Sequence, residues 1–324
     1  MKLDRVTRCV PTIRPGGRRF RIATLGEIHF ELRRLVVSKS LYESRNGTHV
    51  RTGSDSSRFP DRVRSTMIAQ DGGSLRSSRY QRLRVANVVV GVFLLAETAA
   101  MLALSNSLSL PVFASYLRSD PVKAQVAAPA EQLFTIPIGV TVALFLLLAA
   151  VDHLVVAAPR VHVWYERNLD RHVNYSRWIE YSISASIMIV LIAMFTGIRD
   201  IAALLAILAA NAAMILFGLL MERQQEPGSP DWSAFWFGSI VGSVPWIAIG
   251  IYLLGGPDRP PGFVYAITIV ELVLFFSFAL NMFLQYHQIG RWRDYVSGET
   301  TYLVLSVTAK SLLAWLIFAN VLRT

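Results

Sequence analysis

The stretch TYLVLSVTAKSLLAWLIFANVL, residues 301–322, decides the fold. It is apolar at most positions. At a rise of about 1.5 Å per residue it is long enough to cross a hydrocarbon core of about 30 Å as a helix. Lys310 lies near its middle, too deep for its stem to carry the charge back to water. Ionisable groups inside a membrane are costly and mark function by default. Lys310 is also the only lysine within any long apolar block of the chain. Two readings of it stand. In one, it is paired with a carboxylate and serves packing. In the other, a dry pocket leaves the amine neutral enough to be nucleophilic, and it condenses with an aldehyde to a Schiff base.

Working outward, six more apolar blocks precede this one, at roughly 85–104, 134–158, 178–197, 201–221, 234–254 and 263–284. Each has the length of a membrane span. With 53% hydrophobic and 17% charged residues, the chain is too apolar for a soluble protein of 324 residues. The expectation is an all-α membrane protein, a bundle of seven transmembrane helices over residues 80–324, in contact with membrane lipid. The third and fourth spans are joined by so few residues, around Gly197–Asp200, that they must be antiparallel neighbours. Gly238 and Gly242 form a small-residue face on the fifth, suited to a homodimer or to close packing within the bundle.

The net charge of +10 is unevenly spread. Residues 1–84 hold 19 Lys+Arg against 7 Asp+Glu, and the remainder holds 13 against 15. Residues 1–79 therefore read as a basic, disordered tail. An alternative reading places the true start at Met67, with MIAQDGGSLRSSRYQRLR running directly into the first span. No secretory signal peptide is visible ahead of that span. The single cysteine, Cys9, excludes an intramolecular disulfide and a cysteine-based metal site. Ahead of a span, basic residues speak first to topology. They recur between spans two and three (Arg160, Arg167, Arg171, Arg177) and between six and seven (Arg291, Arg293), while the alternate links are poor in them. The positive-inside rule then puts the N-terminus in the cytoplasm and the C-terminus outside.

Besides Lys310, the ionisable groups within spans are Glu97, Asp152 with His153, Glu180 and Glu271. A protonated Schiff base is a buried cation and needs an anion. Glu97 and Glu180 are both inner candidates. Hydropathy sets Glu97 level with Lys310 and Glu180 nearer the inner edge. His153, at about the depth of Glu180, could join it in a polar network.

Three segments resemble the heliorhodopsins: RWIEYSISASIMIVLIAMFTGI (177–198), GETTYLVLSVTAKSLLAWLIFA (298–319) and LALSNSLSLPVFASYL (102–117). The resemblance spans about residues 80–323 and leaves out the tail. It implies a seven-helix rhodopsin-like bundle carrying all-trans retinal on Lys310 as a protonated Schiff base, with Glu180 as counterion. The third helix must then extend further inward than its apolar stretch. Ser306, one turn before Lys310, would hydrogen-bond near the Schiff base. Tyr181, Asn211, Met214 and Trp246, which follows Pro245, would contact retinal. Arg177, Glu222, Tyr295 and Glu299 match the family's inner polar network. Read from the residues alone, Ser306 is a helix-packing serine, Asn211 a bridge between two helices, and Trp246 the packed ring of a Pro-kinked helix.

One departure stands out. Leu94 and Glu97 occupy the places of the family's usual histidine and glutamine in the first helix, while His153 keeps the second-helix histidine. The expectation is that Glu97 substitutes, as a neutral acid or as a second anion near the Schiff base. The implied function is light sensing through a slow photocycle, with a homodimer, a cytoplasmic partner and a place in the cell membrane. Two other classes compete with it: a light-driven ion transporter using Glu97 and Glu271 as relay groups, and a retinal-free seven-helix protein that binds a partner. No phosphate-binding loop, catalytic triad or metal cluster is apparent, so neither an enzyme nor a nucleic-acid binder is expected.

Overall fold

The helix that carries the first apolar block begins well ahead of it. In the computed structural model, which describes residues 61–116 and 130–323 with side chains from residue 78, α1 runs Asp61–Leu104. Its membrane-crossing part is Ser78–Leu104. Residues 61–79, read from the sequence as part of the tail, lie in this helix. Extending a formed helix by a residue costs far less than nucleating a new one. The rest of that tail, residues 1–60, lies outside the described residues. The described residues from 65 on form one packed unit.

After α1 come β1 (Ser109–Ser115), β2 (Ala130–Pro137), α2 (Ile138–Ala157) and a short helix α3 (Pro159–Leu169). Then follow α4 (Tyr175–Phe195), α5 (Ile201–Gln224), α6 (Ser233–Gly255), α7 (Gly262–Tyr286) and α8 (Tyr295–Ile317), which ends in a π turn, Phe318–Leu322. Among the described residues, seven helices are long and apolar enough to span a membrane, α1, α2 and α4–α8. The seven expected spans are all present, with shifted ends.

The chain is mostly helical, and one hairpin joins the helices among the described residues. β1 and β2 pair antiparallel from Ser109↔Pro137 to Ser115↔Ala130, with an irregularity at Val112/Phe113. Val112 and Ala114 alternate inward on β1, as a half-buried strand requires. The Phe113 N–H donates to the Arg199 carbonyl at 2.9 Å, so the hairpin docks on the α4–α5 connection. Residues 134–137, expected in the second span, belong to β2.

That connection is tight for a local reason. The Ile198 N–H reaches the Ala193 carbonyl at 3.0 Å and the Gly197 N–H reaches that of Met194 at 3.2 Å. This is a Schellman ending with glycine, φ +103°, in the left-handed position. Asp200 then caps α5, accepting from the Ala202 and Ala203 N–H groups at 2.9 and 3.2 Å.

α4 is the most enclosed span. It buries 61% of its apolar stretch, against 22–50% in the others, so polar side chains on it are the ones withdrawn from both lipid and water. Outward-facing side chains such as Val89, Ile240, Leu254, Val273 and Phe276 are large, apolar and exposed, as a lipid-facing belt requires. The small-residue face of α6 is used inside the bundle. A Cβ on Gly238 would lie 3.0 Å from the Phe217 Cβ, and one on Gly242 would lie 2.1 Å from the Met214 sulfur. That face packs on α5 and is not a free dimer surface.

Candidate functional site

Lys310 is 2% exposed, on the stripe of α8 that faces α4. Its Nζ donates to Ser306 Oγ at 2.8 Å and to Glu180 Oε2 at 3.2 Å. It also lies 4.7 Å from the centre of the Tyr181 ring. Of the two carboxylates, helix rotation turns Glu180 to Lys310 and Glu97 to Ser311 and Trp315. Glu180 and Tyr181 are adjacent on α4 and both turn to Lys310, and the other oxygen of Glu180 has no partner among the described residues. The Tyr181 hydroxyl donates to the Tyr302 carbonyl at 3.1 Å, which fixes its ring.

Glu97 lies elsewhere. Its two oxygens accept from Ser311 Oγ at 2.8 Å and Trp315 Nε1 at 2.7 Å, on the face of α8 next to that of Lys310. Leu94 is fully buried in the apolar core. Glu97 therefore ties α1 to α8 through Ser311 and Trp315 and makes no direct hydrogen bond to Lys310. Glu97→Gln should shift the absorption band less than Glu180→Gln, as spectra of the two variants would show; an equal or larger shift would overturn this placement.

Beside Lys310 lies a cavity of about 220 Å³ between α4, α5, α6 and α7. Tyr181, Met214, Trp246, Ser306 and Lys310 line it, together with Trp178. Pro245 interrupts the hydrogen bonding of α6, and the Trp246 ring meets Phe275 edge-to-face at 5.3 Å. Asn211 is not in the lining. It donates to Ser186 Oγ at 3.1 Å, bridging α5 to α4. An elongated apolar aldehyde fits the remaining walls, with the one buried amine at their edge.

One turn toward the N-terminal end of α4 begins a second set. Arg177 bridges the buried carboxylates of Glu222 (α5) and Glu299 (α8). Asn174 caps α4 by accepting from the Arg177 N–H at 3.1 Å. Its own N–H donates to Glu222 at 3.0 Å and its side-chain amide to Glu299 at 2.6 Å. The Tyr295 hydroxyl reaches Glu222 at 3.4 Å, and Trp178 Nε1 donates to the same oxygen at 2.7 Å. Arg177 also stacks over the Tyr302 ring at 3.9 Å. Tyr165 of α3 accepts from Asn174 at 3.3 Å; burial and the nearby Glu299 carboxylate push its phenol above the usual range, so it stays neutral here. α4 starts at Tyr175, ahead of the apolar stretch that begins near residue 178.

Asn174, Trp178 and Tyr302 were missed from the sequence. Helical spacing could have found them: 174, 178 and 181 on α4, and 295, 299, 302, 306 and 310 on α8, each form one stripe. His153 bonds Asn87 at 2.7 Å, and Asp152 accepts from Ser176. Both line a small cavity of about 20 Å³ that also touches Arg177, Tyr181 and Glu299, so His153 borders the Arg177 set without a hydrogen bond to Glu180. Glu271 is fully buried with neither oxygen hydrogen-bonded among the described residues, apart from both sets.

A family model described as Heliorhodopsin matches residues 83–322. The chain belongs to the heliorhodopsin family. Retinal carried on a lysine is the cofactor that goes with a rhodopsin family, and heliorhodopsins are multi-pass membrane proteins. Among solved structures, this heliorhodopsin is similar to the light-driven proton pump of Coccomyxa subellipsoidea, at 15% identity over 75% of this chain and 96% of that one, with a TM-score of 0.50. It is also similar to a light-driven proton pump of Leptosphaeria maculans, at 16% identity over 74% and 93%, with a TM-score of 0.49. At such identities the likeness to the first shows the fold alone, a microbial rhodopsin bundle. No curated protein sequence matches.

Proposed function

We propose that this heliorhodopsin is a light sensor in the cell membrane, with all-trans retinal on Lys310 as a protonated Schiff base. Bound retinal supplies the light-driven isomerisation. The observation that carries this reading is one buried amine, at the wall of an apolar cavity, sharing its hydrogen bonds between one carboxylate and one hydroxyl. Glu180 holds the compensating negative charge at Nζ. Ser306 orients Nζ, and Tyr181 fills the space below it. Trp178, Met214 and Trp246 exclude water and bound the cavity.

Sensing is favoured over pumping by what flanks Lys310. On the stripe of α8 that carries Lys310, the C-terminal part holds Leu313, Ala314 and Ile317, all fully buried and unable to relay a proton, while Ser311 and Glu97 lie on the next face. Toward the N-terminal end lie Ser306, Glu299 and the Arg177 network. With the basic links inside, that network faces the cytoplasm and a partner there.

The test is an absorption spectrum of the protein with all-trans retinal, before and after hydroxylamine under illumination. A visible band that bleaches is expected. Glu180→Gln should move that band to longer wavelength, because the ground-state cation loses the anion that stabilises it more than it does the excited state. No band from folded wild-type protein would remove the reading. A sustained photocurrent in voltage-clamped membranes would replace the sensor with a transporter.

A further inference from the structure

Trp178 belongs to both sets of residues at once. It lines the cavity beside Lys310, and its indole N–H donates to Glu222 at 2.7 Å in the inner network. Arg177, from the same network, sits 4.7 Å from its ring centre. The ring has little room. A Cβ on Gly218 would lie 2.4 Å from two of its atoms, so α5 closes directly on one face. Tyr302 meets it edge-to-face at 6.1 Å from α8. A large side chain boxed in this way cannot turn aside when its cavity changes shape, because packed interiors resist compression. Open only on the cavity side, it moves with its hydrogen-bonded end.

That end is well placed for output. Glu222 lies in the last turn of α5, and the link after it is tied to α7 by the Gly228 N–H, which donates to the Tyr286 carbonyl at 2.9 Å. A displacement at Glu222 therefore reaches the inner link 225–232 between α5 and α6.

We infer that Trp178 is the positioning residue that transmits a change in the retinal cavity to the Arg177–Glu222–Glu299 network, with Gly218 keeping its ring in register. The inference rests on the retinal reading above and adds the path by which light at Lys310 would alter the inner face. The chemistry at Lys310 does not pass through Trp178; only geometry does.

The experiment is time-resolved light-minus-dark infrared spectroscopy on the whole protein with all-trans retinal. The Glu222 carboxylate band is assigned with Glu222→Gln, and the Trp178 N–H band by nitrogen-labelled indole compared with Trp178→Phe. In the wild type, both bands are expected to change with one shared rate constant. In Trp178→Phe, which keeps a ring but lacks the donor, the Glu222 signal per photoconverted pigment should be lost. Gly218→Ala, which displaces the ring without removing it, should weaken the signal and serves if Trp178→Phe does not fold. A Glu222 band of wild-type size in either variant overturns the inference, as does a wild-type Glu222 change with a silent indole. Absence of any pigment in the wild type would instead overturn the retinal reading and this inference with it.

Discussion

Replacing Lys310 with alanine should abolish the visible band completely while the helical spectrum of the protein persists. The amine is the only lysine amine in any span, and it opens on an apolar cavity of about 220 Å³. Alanine removes the nucleophile, so no covalent pigment can form. It also strands Glu180, 8% exposed, as an unpaired buried carboxylate. Breaking a buried ion pair from one side typically costs about 3–5 kcal/mol. Loss of colour through unfolding must therefore be separated from loss of the link. Lys310→Arg separates them: it keeps the positive charge beside Glu180 but cannot condense with an aldehyde. The expected result is no band in either variant, with Lys310→Arg closer to the wild type in thermal midpoint by circular dichroism. A bleachable band in Lys310→Ala would refute the assignment of the lysine.

Arg177→Gln should be the most destabilising change away from Lys310. Arg177 neutralises two buried carboxylates on two other helices, Glu222 and Glu299, which are 4% and 3% exposed. Removing the guanidinium leaves both without their cation, at a cost of about 3–5 kcal/mol or more. Asn174, Trp178 and Tyr295 still donate to these carboxylates, but as neutral groups they supply weaker bonds. Unfolding in a denaturing detergent, followed by helical signal, would read the loss. Adding Glu222→Gln and Glu299→Gln in the Arg177→Gln background should recover much of it, because a neutral cluster of the same shape carries no stranded charge. An unchanged midpoint in Arg177→Gln alone would show that the network contributes little to folding.

The spans were legible because length and hydropathy are one-dimensional properties, and the membrane demands both of each helix. Lys310 was legible for the same reason, a charge at the centre of an apolar block. The hairpin was not. Leu110, Val112 and Ala114 do alternate, but the segment is short and its partner strand Ala130–Pro137 is exposed for most of its length, so it carries almost no signal. The β2 residues 134–137 were read as helix because apolar composition without a clear period does not distinguish the two.

Within the site, depth could be read from sequence and direction could not. Glu97 stands level with Lys310 by hydropathy, yet it faces Ser311 and Trp315. Asn211 sits mid-span, yet it turns to Ser186 rather than into the cavity. Each helix can rotate about its axis with no change in its hydropathy profile. Only packing against its neighbours sets that angle, through contacts such as Gly218 against Trp178 and Gly242 against Met214. The sequence by itself determined the membrane, the seven crossings and the lysine at their centre, since each follows from the order and polarity of residues along the chain. The tertiary structure alone decided which carboxylate meets that lysine and which aromatic ring joins its cavity to the inner charges, because both depend on the rotation and approach of helices far apart in sequence.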